Sequence, residues 1–106
     1  MNKEISAAEA ANLKESGESI VFLDVREHDE VAICAIEGAL HVPMGEIPER
    51  LEQLPKEPTL VVFCHHGMRS QNVIHYLEAR GMTNTINLRG GIHAWACEVD
   101  PEMQRY

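Results

Sequence analysis

Short apolar runs alternate with amphipathic stretches along the whole chain. Leu60-Val61-Val62-Phe63 is an unbroken apolar run, and Ile20–Val25 is apolar except for Asp24. Runs of this kind, not alternating with polar residues, suit strands covered by helices on both faces. Ile5 reads as a short edge strand, Ala39–Val42 as a short strand closed by Pro43, and Thr85–Leu88 as the fifth strand. Between them the period lengthens. Ser6 and Glu9 form a capping-box pattern before a helix over Ala7–Glu15, and Gly17 stands where that helix should stop. The charged, then mixed, stretch Arg26–Ile36 predicts a short helix. Pro48–Leu54 predicts another, with Pro48 near its first turn. Ser70–Arg80 has the clearest helical pattern, with Val73, Ile74 and Leu77 on one side and Gly81 just beyond. Gly90-Gly91 reads as a tight turn before a last helical segment around Ala94-Trp95, with the indole in the core. This alternation predicts an α/β domain on a mainly parallel sheet.

Length limits that picture to one domain, residues 1–106, with a real core. Aromatic residues make up only 5% of the chain, so aliphatic side chains must fill the interior. The formal net charge of -8 argues against nucleic acid, whose binding rests on neutralising phosphates. No run approaches the roughly 20 apolar residues of a membrane span, and Met1-Asn2-Lys3-Glu4 has no hydrophobic signal core. The cysteines at 34, 64 and 97 are odd in number and form no C-x-x-C pair. Free thiols in a reducing, cytoplasmic setting are the expectation.

The candidate chemistry lies in Cys64-His65-His66-Gly67-Met68-Arg69-Ser70, between the fourth strand and the best helix. Sites in parallel sheets gather beyond the carboxyl ends of strands, where both Cys64 and Asp24 fall. A helix N-terminus presents unpaired N–H groups and a positive dipole end, a setting that favours a thiolate. Gly67 permits a tight backbone curl. Arg69 adds a cation where one is unfavourable unless an anion is near, so it is expected to hold the loop or a substrate anion. His65 and His66 are adjacent and lack a second ligand cluster nearby in sequence. They are expected to line the loop mouth, with no metal and no cofactor. Met68 reads equally as a flexible apolar wall or as packing. Asp24 and Arg26 read as a supporting pair, an ion pair or a cap for the next helix. His41, His75 and His93 lie away from the loop in sequence and are assigned structural roles, and Cys34 and Cys97 have no visible activating neighbourhood.

Taken together, Leu23-Asp24-Val25-Arg26-Glu27, Ile36-Glu37-Gly38-Ala39 with Val42-Pro43, the loop Cys64–Ser70, and Leu88-Arg89-Gly90-Gly91 with Trp95 resemble a rhodanese-like (sulfurtransferase) domain over nearly the whole chain. The resemblance implies a five-stranded parallel sheet with helices on both faces. It also implies that Cys64 takes a sulfane sulfur from a donor such as thiosulfate and passes it, as a persulfide, to a thiophilic acceptor such as cyanide or a thiol. A thiol-bearing protein is a further possible partner. The loop N–H groups from His65 to Ser70 are implied to cradle the charged persulfide. Cys34-Ala35 stand where family members often have Gly-His, and the loop has two histidines and no lysine. The rival readings are a persulfide carrier or regulatory module for a partner protein, and a cysteine-loop phosphatase or arsenate reductase. Four residues separate Cys64 from Arg69, whereas phosphatase loops have five, so the spacing favours sulfur.

Overall fold

The apolar runs become the centre of a single sheet in the computed structural model, which describes residues 3–106. Met1 and Asn2, the start of the domain expected over 1–106, lie outside the described residues. Strands β1 (Glu4–Ile5), β2 (Ile20–Asp24), β3 (Leu40–His41), β4 (Thr59–Phe63) and β5 (Thr85–Leu88) are all parallel, in the order β1-β5-β4-β2-β3. Helices α1 (Ala7–Glu15), α2 (His28–Ile33), α3 (Met68–Ala79) and α4 (Gly91–Glu98) connect or follow them. Asp24 lies opposite Phe63, and Val62 opposite Asn87, so the three central strands end nearly level. The segments leaving β2, β4 and β5 therefore emerge together: Val25-Arg26, the loop beginning at Cys64, and Arg89-Gly90-Gly91.

The period-2 alternation of β4 divides the core. Leu60, Val62 and Cys64 pack on the side of α3 with Val73 and Leu77. Val61 and Phe63 pack on the other side with Phe22, Ile92 and Trp95. Full burial of each large side chain contributes about 1.5–3 kcal/mol. Trp95 is core, as its position implies, and meets Phe22 edge-on with ring centroids 5.3 Å apart. At α1 the capping box forms as read. The Ser6 hydroxyl accepts from the Glu9 N–H at 3.1 Å, and the Glu9 carboxylate accepts from the Ser6 N–H at 3.2 Å.

Three boundaries differ from the sequence expectation. Pro48–Leu54 is not an α-helix; the region holds two short 3-10 turns, Met44–Glu46 and Leu51–Gln53. Pro48 has no N–H to donate to the preceding turn, and Arg50, at φ -111° and ψ 16°, leaves the helical well. The third strand is only Leu40–His41. Helix α3 starts at Met68, two residues before Ser70, because Gly67 at φ 126° turns the chain directly into it. Met68, Arg69 and Ser70 are thus its first turn. Among the described residues no helix is long and apolar enough to cross a membrane.

Gly91 fixes α4 against the Cys64 loop. Its φ is +61°, and a Cβ there would lie 2.5 Å from the carbonyl oxygens of both Cys64 and His65. The close approach lets Ile92 N–H donate to Cys64 O at 2.9 Å and His93 N–H to His65 O at 3.1 Å. Gly91→Ala is expected to cost about 3 kcal/mol or more, combining left-handed strain with a backbone collision. Gly17→Ala, at φ +77° in open space, should cost only ~1–2 kcal/mol. Urea unfolding of the two variants measures the difference.

Candidate active site

Strand β4 delivers Cys64 to the start of a chain reversal that Gly67 completes. The reversal brings the Gly67 N–H back to the Cys64 sulfur, to which it donates at 3.0 Å. The Ser70 hydroxyl, one turn into α3 and wholly buried, lies 3.6 Å from the same sulfur. It also lies 3.0 Å from Gly67 O and 2.5 Å from Asn87 Oδ1. Ser70 has a single proton, so donating it to one of those oxygens leaves its lone pairs facing Cys64. The cysteine itself is only 2% exposed, more enclosed than a simple loop position predicts. His65 and Arg69 are half-buried, while His66 and Met68 are exposed. At 79% exposure, Met68 is not core packing.

Arg69 finds its anion within the chain. Its two terminal nitrogens donate to the two Glu30 carboxylate oxygens at 2.6 and 2.8 Å. The anion whose nearness the position of Arg69 implied is, in the folded protein, a carboxylate of α2, which fits the expected role of holding the loop. Hydrogen bonding from Arg69 draws the Glu30 carboxyl down to about 2, assisted by the Glu27 N–H and the Tyr106 hydroxyl and opposed by partial burial. Glu30 in turn holds the Arg69 guanidinium above its ordinary value.

Asp24 and Arg26 do form an ion pair, and it is buried. Arg26 Nη2 donates to Asp24 Oδ2 at 2.7 Å, and Nε to Oδ1 at 3.0 Å. The same guanidinium donates to Cys34 O at 2.8 Å, to Glu30 O at 3.3 Å and to the Tyr106 hydroxyl at 3.0 Å. Burial opposes the charge, but the Asp24 and Tyr106 hydrogen bonds outweigh it and raise the guanidinium above its ordinary range. His41 lies close by, and its Nε2–H donates to the Arg26 carbonyl at 2.7 Å. His75 is exposed on α3.

His93 reaches the site by packing rather than by sequence. Far from the loop in sequence, it lies beside it in space, with ring centroids 5.2 Å from His66 and 6.2 Å from His65. His65 is sandwiched, 4.1 Å from His66 and stacked on Tyr106 at 4.0 Å. Burial, then the neighbouring His66, lowers its pKa and favours the neutral ring. Cys97 lies 3.8 Å from His93 Nε2, and the Cys34 sulfur 4.0 Å from Arg26 Nη1. Both therefore have polar neighbours that their sequence context did not reveal. Three residues of this region were missed altogether: Glu30, Asn87 and Tyr106. Asn87 carried one signal, as a polar residue in an apolar strand. Its side chain bridges Ser70 and the Glu4 carboxylate, to which it donates at 3.3 Å.

A profile of the rhodanese-like domain matches residues 6–98. YtwF of Bacillus subtilis, provisionally named a sulfurtransferase, is 44% identical over 100 residues, covering 94% of this chain and 96% of that protein. The thiosulfate sulfurtransferase GlpE of Coxiella burnetii is 37% identical over 95 residues, covering 90% and 88%. A crystal structure of a rhodanese-related protein from Thermoplasma volcanium superposes with a TM-score of 0.83 at 29% identity, covering 92% of this chain and 93% of that one.

The Glu30–Arg69 pair has a pH signature. The folded carboxyl titrates near 2 and the free one near 4.5, so on acidification the unfolded chain takes up the proton first. The contribution is complete above about 4.5 and is lost as pH falls toward 2. A shift of this size is discounted because Glu30 and Arg69 side chains are 17% and 32% exposed, leaving about 1–2 kcal/mol. Urea unfolding at pH 6 and pH 3 should show an acid loss smaller by roughly half that amount in Arg69→Met than in the wild type, since at pH 3 the folded carboxyl is still mostly ionised.

Proposed function

The chain belongs to the rhodanese-like domain family, and from that premise we propose that it is a sulfurtransferase whose Cys64 carries the transferred sulfur as a persulfide. The observation that carries this reading is the Cys64 sulfur held by the Gly67 N–H at 3.0 Å at the start of α3. A thiolate at this position attacks the outer sulfur of a sulfane donor. One S–S bond forms on Cys64 while the donor's own S–S bond breaks; thiosulfate leaves as sulfite, and a persulfide donor leaves as a thiolate. Cyanide, a small thiol or a thiol-bearing protein then attacks the outer sulfur and departs with it, returning the Cys64 thiolate. Two displacements on one nucleophile replace a direct transfer between two anions.

His65, His66, Gly67, Met68, Arg69 and Ser70 form the wall around that sulfur, with roles that differ. Gly67 supplies the N–H donor, and Ser70 sets its hydroxyl oxygen 3.6 Å from the sulfur, with its proton given to Gly67 O or Asn87 Oδ1. His65 and His66 border the mouth, Met68 offers an exposed apolar contact, and Arg69 fixes the first turn of α3 to α2. Asp24 and Arg26 support the loop from beneath. A phosphoryl group brings further oxygens that each need a donor, and a loop with four residues between cysteine and arginine has one fewer than a phosphatase loop to offer.

Incubation with thiosulfate or cysteine persulfide should add one sulfur atom to the intact mass, and cyanide or a thiol should remove it. Cys64→Ser should abolish loading and turnover, because the atom that carries the sulfur is gone, while Cys34→Ser and Cys97→Ser retain most activity. Cleavage of aryl phosphates that depends on Cys64, with no sulfur added by either donor, would reverse the assignment in favour of the phosphatase class. Sulfur loading without turnover by small thiols would instead identify a carrier.

A further inference from the structure

The cation expected to attract a donor anion is already occupied. Arg69 stands in the first turn of α3, five positions after Cys64, yet both of its terminal nitrogens bind Glu30. Nor is that carboxylate loosely held. Its Oε1 also accepts from the Glu27 N–H at 3.1 Å, and its Oε2 from the Tyr106 hydroxyl at 2.9 Å. Bidentate geometry supported by further donors distinguishes this pair from a transient surface contact. Of the other arginines near the mouth, Arg26 is buried and paired with Asp24, and Arg105, which lines a cavity with His65, His93 and Tyr106, is turned toward the Ala96 carbonyl, to which it donates at 3.4 Å. The nearby histidine His65 is biased to its neutral form, and the chain as a whole carries a net charge of -8.

Donors differ in how much negative charge they bring to such a mouth. A thiolate attacking thiosulfate gathers the charge of the thiolate with that of a dianion, and the leaving sulfite is itself doubly charged. Attack on a protonated alkyl persulfide, R–S–SH, gathers only the thiolate's charge. The new bond joins Cys64 to the outer sulfur, the old S–S bond breaks, and R–S⁻ leaves. From the Glu30–Arg69 geometry we infer that Glu30 is a specificity-determining residue. It neutralises Arg69 and so turns the mouth away from dianionic donors such as thiosulfate and toward persulfide donors of lower charge. This rests on the reading of Cys64 as a persulfide-forming nucleophile.

Glu30→Gln frees the guanidinium without removing the side chain's bulk, and Glu30→Asp keeps the charge. The readout is the ratio of kcat/KM for thiosulfate to that for cysteine persulfide, with folding checked by circular dichroism. In Glu30→Gln the ratio should rise about tenfold, the lower end of what one-signed focusing of an anion achieves, mainly through a lower KM for thiosulfate. Glu30→Asp should keep the wild-type ratio. A purely structural role would alter both donors alike. Salt gives a second measurement, independent of any variant. Between low and high NaCl the wild-type kcat/KM for thiosulfate should stay level or rise, since screening relieves repulsion by an acidic chain. An unchanged ratio in folded Glu30→Gln, or a steep fall of the wild-type value with salt, overturns the inference while leaving the sulfurtransferase reading intact. If Glu30→Gln does not fold, the wild-type salt dependence decides. Failure of both donors to load wild-type Cys64 overturns that reading, and this inference with it.

Discussion

A guanidinium with no access to solvent organises one end of this sheet. Arg26 is 0% exposed, and a buried charge is tolerated only where it is paired and its donors are satisfied. Asp24 supplies the countercharge from the end of β2. The remaining donors reach the carbonyls of Glu30 and Cys34, on and just after α2, and the hydroxyl of Tyr106. Satisfying one arginine therefore fixes where α2 lies, and α2 carries the Glu30 carboxylate that clamps Arg69 at the start of α3. The Cys64 loop is thus tied to the buried pair through a chain of charged and hydrogen-bonded groups, not through apolar packing alone.

The other side of the loop is set by close approach of backbone to backbone. Gly91 brings the first N–H groups of α4 onto the carbonyls of Cys64 and His65. Those carbonyls are then engaged from behind, while Gly67 directs its N–H at the sulfur from the front. Two glycines in left-handed conformations thereby do what no larger residue could do at either position. The same packing of α4 brings His93 into the histidine cluster, so the chemistry at the mouth follows from the backbone contact.

Much of this was legible because it is local. Ser6 and Glu9 are three residues apart, Asp24 and Arg26 two, and Cys64 and Ser70 belong to one continuous turn. The level strand ends follow from continuous apolar runs in a parallel sheet. What was not legible depends on distance along the chain. Glu30 and Arg69 are 39 positions apart, and Arg26 and Tyr106 are 80 apart. A cation at a helix N-terminus implied that some anion must be near it, but α2 and its cap offer Glu27, Asp29 and Glu30, and only the packed fold selects one. The place of His93 beside the loop was hidden for the same reason. Pro48–Leu54 failed for a local one: its apolar spacing is helical, but Arg50 departs from the helical well and breaks the segment into turns.

Cys64 belongs to the α3-side core as well as being the proposed reactive group. Its sulfur is a packing atom, in contact with the side chains that hold the sheet to α3. Covalent chemistry there is at the same time a substitution in the interior. Cargo and fold are consequently linked as a ligand and its receptor are: a group better accommodated by the folded loop than by the unfolded chain stabilises the protein by the same free energy with which the protein retains it. On the proposed function, how firmly the domain holds a sulfur on Cys64 and how well it resists unfolding are two readings of one quantity.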